Sequence, residues 1–378
     1  MSPVQVTAER LATIPVGNCI QCLGSHPNHT LERKFEALQK GGWKHTEFSF
    51  AEYFQWVRKR EPNVIPDVDP ETYGDADAEA GEEEAWEALY RHAPEAKALA
   101  TKHGVKMWSL QCLGQVDSWP AGSKREIRGR EKAVHWLELC SRLGLEFCQI
   151  GVNDQYDAVA PFEKTVQDLV WIADQAAARG VKVAYESWNF APRNNQWEAT
   201  WAIVQAANHP SLGLCIDTAQ CALAPAYGFD PTSGRGFTPV AVQALLERLA
   251  SVPGDKIFFV EISDVLAPQP ALLCGSPFDQ WHLDQEPGYR TGFTWCRCAR
   301  VIPHIGRGTG KLVRGENGLG AGRTAEIVKA ILSTGFNGPM FYECFEVAEQ
   351  EKPDLSIPDE LVQASVLSWD RMSKAILS

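Results

Sequence analysis

Short apolar runs alternate with amphipathic stretches along the whole chain. An apolar run of roughly four to eight residues is too short for a buried helix and reads as a strand. Apolar positions recurring every three or four residues read as a helix. This pattern predicts strands over Asn18–Leu23, His45–Phe50, Val105–Gln111, Glu146–Val152, Val181–Ser187, Leu212–Thr218, Lys256–Ser263 and Pro339–Phe345. Helical stretches lie between and after them, over Thr30–Lys40, Lys124–Leu143, Pro161–Arg179, Gln196–Ala207 and Pro239–Ser251, with others near 82–103, 321–334 and 359–377. Thr30 is placed to cap the first helix and Gly41-Gly42 to stop it.

Strands separated by helices must run parallel, and eight such units close most economically into one α/β barrel spanning residues 1–378. A doubly wound open sheet would carry a glycine-rich turn after its first strand, and none is present. Four strands end in an acid: Glu186 in VKVAYES, Asp217 in LGLCIDT, Glu261 in KIFFVEIS and Glu343 in PMFYECF. A buried strand has little reason to end in a carboxylate without a partner. The C-terminal ends of parallel barrel strands share one mouth, so the four acids converge there as a divalent-metal site or an acid/base cluster.

Two connections are long. The one after strand two holds an acidic insertion, 61–85, in which residues 67–84 contain nine acids and no base. It reads as a solvated, mobile excursion. The one after strand seven, 264–320, is rich in Gly, Pro, Arg and Trp and reads as a cover over the barrel mouth. It supplies His282, Arg297, Arg300 and His304. The net charge of −12 argues against nucleic acid as a partner. No basic start followed by an apolar stretch marks a signal peptide, and no apolar run is long enough to span a membrane. A cytoplasmic protein with reduced cysteines is expected, acting on a small molecule as a monomer or homo-oligomer. Cys19 and Cys22 form a CxxC, but three residues apart on a strand they face opposite sides.

The stretches HTLERKFEALQKGGWKHTEFSF, REKAVHWLELCSRLGLEFCQIGVND, VAYESWNFAPRNNQWEATWAIVQAANHPSLGLCIDTAQ and FTWCRCARVIP, in this order and spacing, resemble the xylose-isomerase-like TIM barrels, the sugar phosphate isomerases and epimerases. Within that group they are most similar to fungal and bacterial 3-dehydroshikimate dehydratases. The resemblance implies a single (β/α)8 TIM barrel and one divalent metal held at the ends of strands five to eight. By position the ligands are Glu186, Asp217, Glu261 and Glu343. Oxygen ligands suit Mg or Mn, with Co or Zn as alternatives. Two departures stand out. The third ligand of the family is usually His or Gln, and here it is Glu261. Four carboxylates around one divalent ion crowd negative charge, so a nearby cation compensates, or one acid stays protonated, or one is a base. The family pattern Asp-x-x-His reads Asp217-Thr-Ala-Gln220, and glutamine orients by hydrogen bonding but takes no proton.

The implied reaction is dehydration of 3-dehydroshikimate to protocatechuate through metal-assisted enolisation. Glu261, Gln220, His282 and Arg297 are the catalytic candidates, with His282 or His304 as the replacement base. Arg297, Arg300, Glu47, Gln111 and Trp188 are the substrate-binding candidates, the arginines because a guanidinium pairs a carboxylate at two points. The missing histidine keeps two rivals open: an isomerase or epimerase acting on a keto sugar or related natural product, and a catalytically inactive binding barrel.

Overall fold

The computed structural model describes residues 3–75, 82–227, 230, 232–266, 271, 273, 275, 291–305 and 322–378. In chain order the strands are β1 (Val16–Cys19), β2 (His45–Ser49), β3 (Lys106–Leu113), β4 (Phe147–Gly151), β5 (Lys182–Glu186), β6 (Leu212–Asp217), β7 (Ile257–Ile262), β8 (Asp264–Val265), β9 (Arg300–Val301) and β10 (Met340–Tyr342). β1–β7 and β10 pair in parallel around a closed ring, with β10 between β7 and β1. This is the barrel that the alternation predicts. β8 and β9 form a separate antiparallel ribbon.

Local chemistry explains the boundaries. The Thr30 hydroxyl accepts the Arg33 N–H, and the helix Leu31–Gly41 stops where Gly42 takes φ 80. Ser123 caps the helix Lys124–Leu143 in the same way, and Gly144 ends it at φ 72. Three expectations need correction. The first strand ends at Cys19, and Ile20–Leu23 turns as a 3-10 helix. Cys19 and Cys22 therefore share one small apolar cluster with Phe345 instead of facing apart. The eighth barrel strand is only Met340–Tyr342, so Glu343 lies just past its end. Much of 264–320 lies outside the described residues, yet its described part contains a helix, Thr291–Cys298, and the strand β9.

The acidic insertion is partly built into the molecule. Ile65 and Tyr73 are buried in the main core, and Asp75 pairs with the buried Lys132 at 2.6 Å. Apolar anchors and a buried cation tie down its first half, which a reading of acidity alone missed.

Alternate strand residues face the barrel interior. Phe147, Ala184, Cys215, Phe259 and Phe341 pack into one buried apolar cluster. Two residues further along each strand stand Gln149, Glu186, Asp217, Glu261 and Glu343, all buried. The barrel thus has an apolar floor with an acidic layer directly above it, at the C-terminal strand ends where such barrels do chemistry.

Candidate active site

Oxygen atoms of Glu186, Asp217 and Glu261 lie within 4.8 Å of one another. Burial on the apolar floor dominates their electrostatics. It pushes Glu186 and Glu261 well above the usual carboxylate range, with neighbouring carboxylates adding to the effect. It raises Asp217 to about 7, against the opposing pull of Arg300. Glu47, fully buried on β2, is also pushed well up, by burial and then by Glu343.

Among the described residues, one cation enters the layer. Arg300 is buried. Its Nη2 lies 2.6 Å from Asp217 Oδ2, and its Nη1 pairs with the Glu343 carboxylate. The short ribbon of β8 and β9 delivers Arg300 beside these two acids. Opposite it, Gln149 donates from Nε2 to Glu186 Oε2 at 2.9 Å and to Glu261 Oε1 at 2.7 Å. Trp188 Nε1 adds a second donor to Glu186 Oε2 at 2.7 Å.

Glu261 Oε2 is buried with no N–H or hydroxyl donor on it, and the buried Glu47 carboxyl lies against the Glu261 side chain. A buried lone pair left bare costs about 1–3 kcal/mol, and three converging carboxylates repel one another. A hard divalent cation relieves both. Glu186, Asp217 and Glu261 therefore fit a metal ion; Glu343, the fourth expected ligand, falls outside this group, and Arg300 pairs with both it and Asp217.

A cavity of about 560 Å³ opens above the layer. Trp188, Phe190, Phe293 and Phe345 line one side of it; Gln21, Ser49, Gln111 and Gln149 supply amide and hydroxyl groups elsewhere on its wall. Trp188 stacks on Phe190 with ring centres 5.4 Å apart. Apolar walls with a few convergent polar groups are typical of small-molecule sites.

The sequence candidates separate within this geometry. Arg297 lines the cavity with its guanidinium 4.4 Å above the Phe345 ring. Arg300 also borders the cavity, but its Nη atoms serve Asp217, Glu343 and Cys296, which leaves it ill placed to hold a substrate carboxylate. Gln111 faces the cavity with its amide engaged by Gln21 and Cys19. Glu47 accepts from Ser109 at 3.1 Å and is not among the lining residues; it is buried in the barrel interior, with its carboxyl against Glu261. Glu261 is likewise absent from the lining, with Gln149 bonded to it. Gln220 accepts the Asn189 N–H at 2.8 Å and donates to Cys296. It ties the loop after β5 to the helix Thr291–Cys298. His304 is not a lining residue either, and its carbonyl accepts from Arg371. His282 lies outside the described residues.

Sequence reasoning missed Gln149. The signal was present: it follows Phe147 by two residues, as Glu186 follows Ala184 and Glu261 follows Phe259. A search restricted to acids passed over an amide in the same register.

Comparison with known proteins places this geometry in context. Residues 72–366 match the family model described as xylose isomerase-like TIM barrel. The chain is 26% identical over 379 residues to the 3-dehydroshikimate dehydratase of Neurospora crassa, covering 96% of this chain and 92% of that protein. It is 26% identical over 226 residues to the 3-dehydroshikimate dehydratase of Pseudomonas aeruginosa, of which it spans only 27%. Among solved structures, the IOLI protein with a binding zinc atom superposes with a TM-score of 0.57 at 18% identity, over 96% of this chain and 97% of that one. That likeness concerns the fold.

Proposed function

Since the chain belongs to the xylose isomerase-like TIM-barrel family, we propose that it is a metal-dependent lyase that dehydrates 3-dehydroshikimate to protocatechuate. The observation that carries this reading is the near full-length relationship to a fungal enzyme of that name. The buried triad of Glu186, Asp217 and Glu261 is consistent with it.

The three carboxylates would hold the ion, of which magnesium or manganese suits an all-oxygen set. When bound, the ion supplies Lewis-acid polarisation of the substrate carbonyl. The chain's own groups do the rest. Arg297, exposed to the cavity and stacked on Phe345, pairs with the substrate carboxylate. Trp188, Phe190 and Phe293 cover one face of the ring and exclude water. Glu343 borders the cavity and stands outside the triad, so it is assigned as the proton acceptor. Arg300 orients its carboxylate. Two C–H bonds and one C–O bond of the ring break: one proton leaves with the hydroxyl as water, the other ends on the former carbonyl oxygen as a phenol, and the ring becomes aromatic. Gln220 holds the mouth together and carries no proton.

The test is an ultraviolet assay with 3-dehydroshikimate and manganese. Protocatechuate should appear, and a chelator should stop it. No product from protein shown to contain metal would reject the dehydratase reading. Isomerase action on another keto compound would then take its place, a rival favoured by the absence of histidine among the described lining residues. Glu343→Gln should abolish turnover while leaving metal content intact. Loss of metal in that variant would make Glu343 a ligand instead.

A further inference from the structure

Gln149 is the one amide in a layer otherwise made of carboxylates, and it is 1% exposed. Its NH2 group has two hydrogens, and both are committed. One goes to Glu186 Oε2 at 2.9 Å and the other to Glu261 Oε1 at 2.7 Å. With both acids ionised, the state in which they would hold a cation, the opposite amide orientation would set Oε1 against two acceptor oxygens, which fixes the assignment. Glu186 Oε2 also takes the Trp188 Nε1 hydrogen at 2.7 Å, which fills both of its lone pairs. What remains is Glu186 Oε1 and the buried Glu261 Oε2, which no N–H or hydroxyl reaches, with the Glu47 carboxyl against the Glu261 side chain.

We infer that Gln149 is the positioning residue of the cation centre. By occupying one oxygen of each flanking carboxylate, it dictates which oxygen each presents to a divalent ion: Oε1 of Glu186 and Oε2 of Glu261. Each would then offer the ion one oxygen, and turning its other oxygen toward the ion would break the bond to the amide. Asp217 is held from the other side by Arg300. The inference rests on the proposed metal dependence and goes further, because it assigns a non-ligand on β4 as the determinant of how the ligands are presented.

Calorimetric titration of the full-length protein with Mn²⁺ tests this, with melting of the metal-free protein followed in parallel. Gln149→Met keeps the length of the side chain and removes both donors. It should weaken Mn²⁺ binding about 10–100-fold, the usual cost of losing a partner that orients a ligand. The electron paramagnetic resonance spectrum of bound Mn²⁺ should change as the carboxylates reorient. A merely structural role would lower the melting temperature but leave both the affinity and the spectrum of the folded protein unaltered, and that result overturns the inference. Should Gln149→Met fail to fold, Trp188→Phe removes the other donor from Glu186 Oε2 and should weaken binding several-fold; wild-type affinity there overturns the shared-saturation argument. Glu186→Ala is the control. Wild type that takes up no Mn²⁺, like that control, would defeat the metal reading itself and this inference with it. Normal uptake by wild type with equal affinity in Gln149→Met defeats this inference alone.

Discussion

Gly151 has no side chain because Trp188 takes the space. A methyl group there would stand 1.9 Å from the indole Cζ2, so Gly151→Ala must push the ring aside and break its bond to Glu186. Overpacking of this kind costs about 1–3 kcal/mol. We expect a shifted tryptophan emission and weaker metal binding, measured by fluorescence and calorimetry; an unmoved spectrum would show that the ring tolerates the methyl. Arg297 offers a second test at this scale. Arg297→Leu removes a charge-assisted contact of about 1.5–3 kcal/mol, so KM for a carboxylated substrate should rise about 10–100-fold with a smaller effect on kcat. Steady-state kinetics with an acid and its neutral amide decide the matter, since equal changes for both would exclude a role in holding the carboxylate.

The helix Thr291–Cys298 and β9 act together at the level of elements. The helix presents Phe293, Cys296 and Arg297 to the cavity, and the strand drives Arg300 into the acidic layer. Breaking a buried ion pair by removing one partner costs about 3–5 kcal/mol, because the other charge stays buried. Arg300→Met should therefore destabilise the metal-free protein strongly. Added Mn²⁺ should recover more stability in the variant than in wild type, since the ion then takes the place of the guanidinium facing Asp217. Melting curves with and without Mn²⁺ measure this; identical metal-induced shifts would argue that Arg300 and the ion do not share the cluster.

The whole molecule feels the cost of buried acids through its pH dependence. Asp117 lies between the barrel and the helices, where burial raises it to about 6 from 3.8 even though Tyr185 donates to it at 2.8 Å. Its folded form therefore prefers the proton. The associated stability is complete below pH 3.8 and is lost as pH rises through about 6. Asp117→Asn should remove that loss, up to about 3 kcal/mol at neutral pH, and flatten the stability slope between pH 4 and 6 relative to wild type. Urea unfolding at several pH values checks it, and parallel slopes for the two proteins would refute it. The pairing of Asp75 with Lys132 also acts at this scale. It anchors an excursion from β2 against the helix Lys124–Leu143 and makes both residues' neighbours part of the cavity rim.

The order and parallel sense of the barrel strands were legible in the sequence, because burial on both faces leaves short apolar runs and helical spacing fills the gaps between them. The acids at the strand ends were legible for the same reason: a carboxylate closing an apolar run is conspicuous. What each acid does was not. Glu343 and Asp217 face Arg300 only because a ribbon formed by residues 264–265 and 300–301 folds back over the mouth. Gln149 matters only because its register on β4 sets it level with Glu186 and Glu261. The turn that brings Cys19 and Cys22 together, and the burial of Tyr73 within an acidic stretch, likewise depend on what packs against them. Periodicity along the chain determines which elements form and which faces are buried. Partners that are distant in sequence, and the charge balance they set, are decided only when the barrel closes.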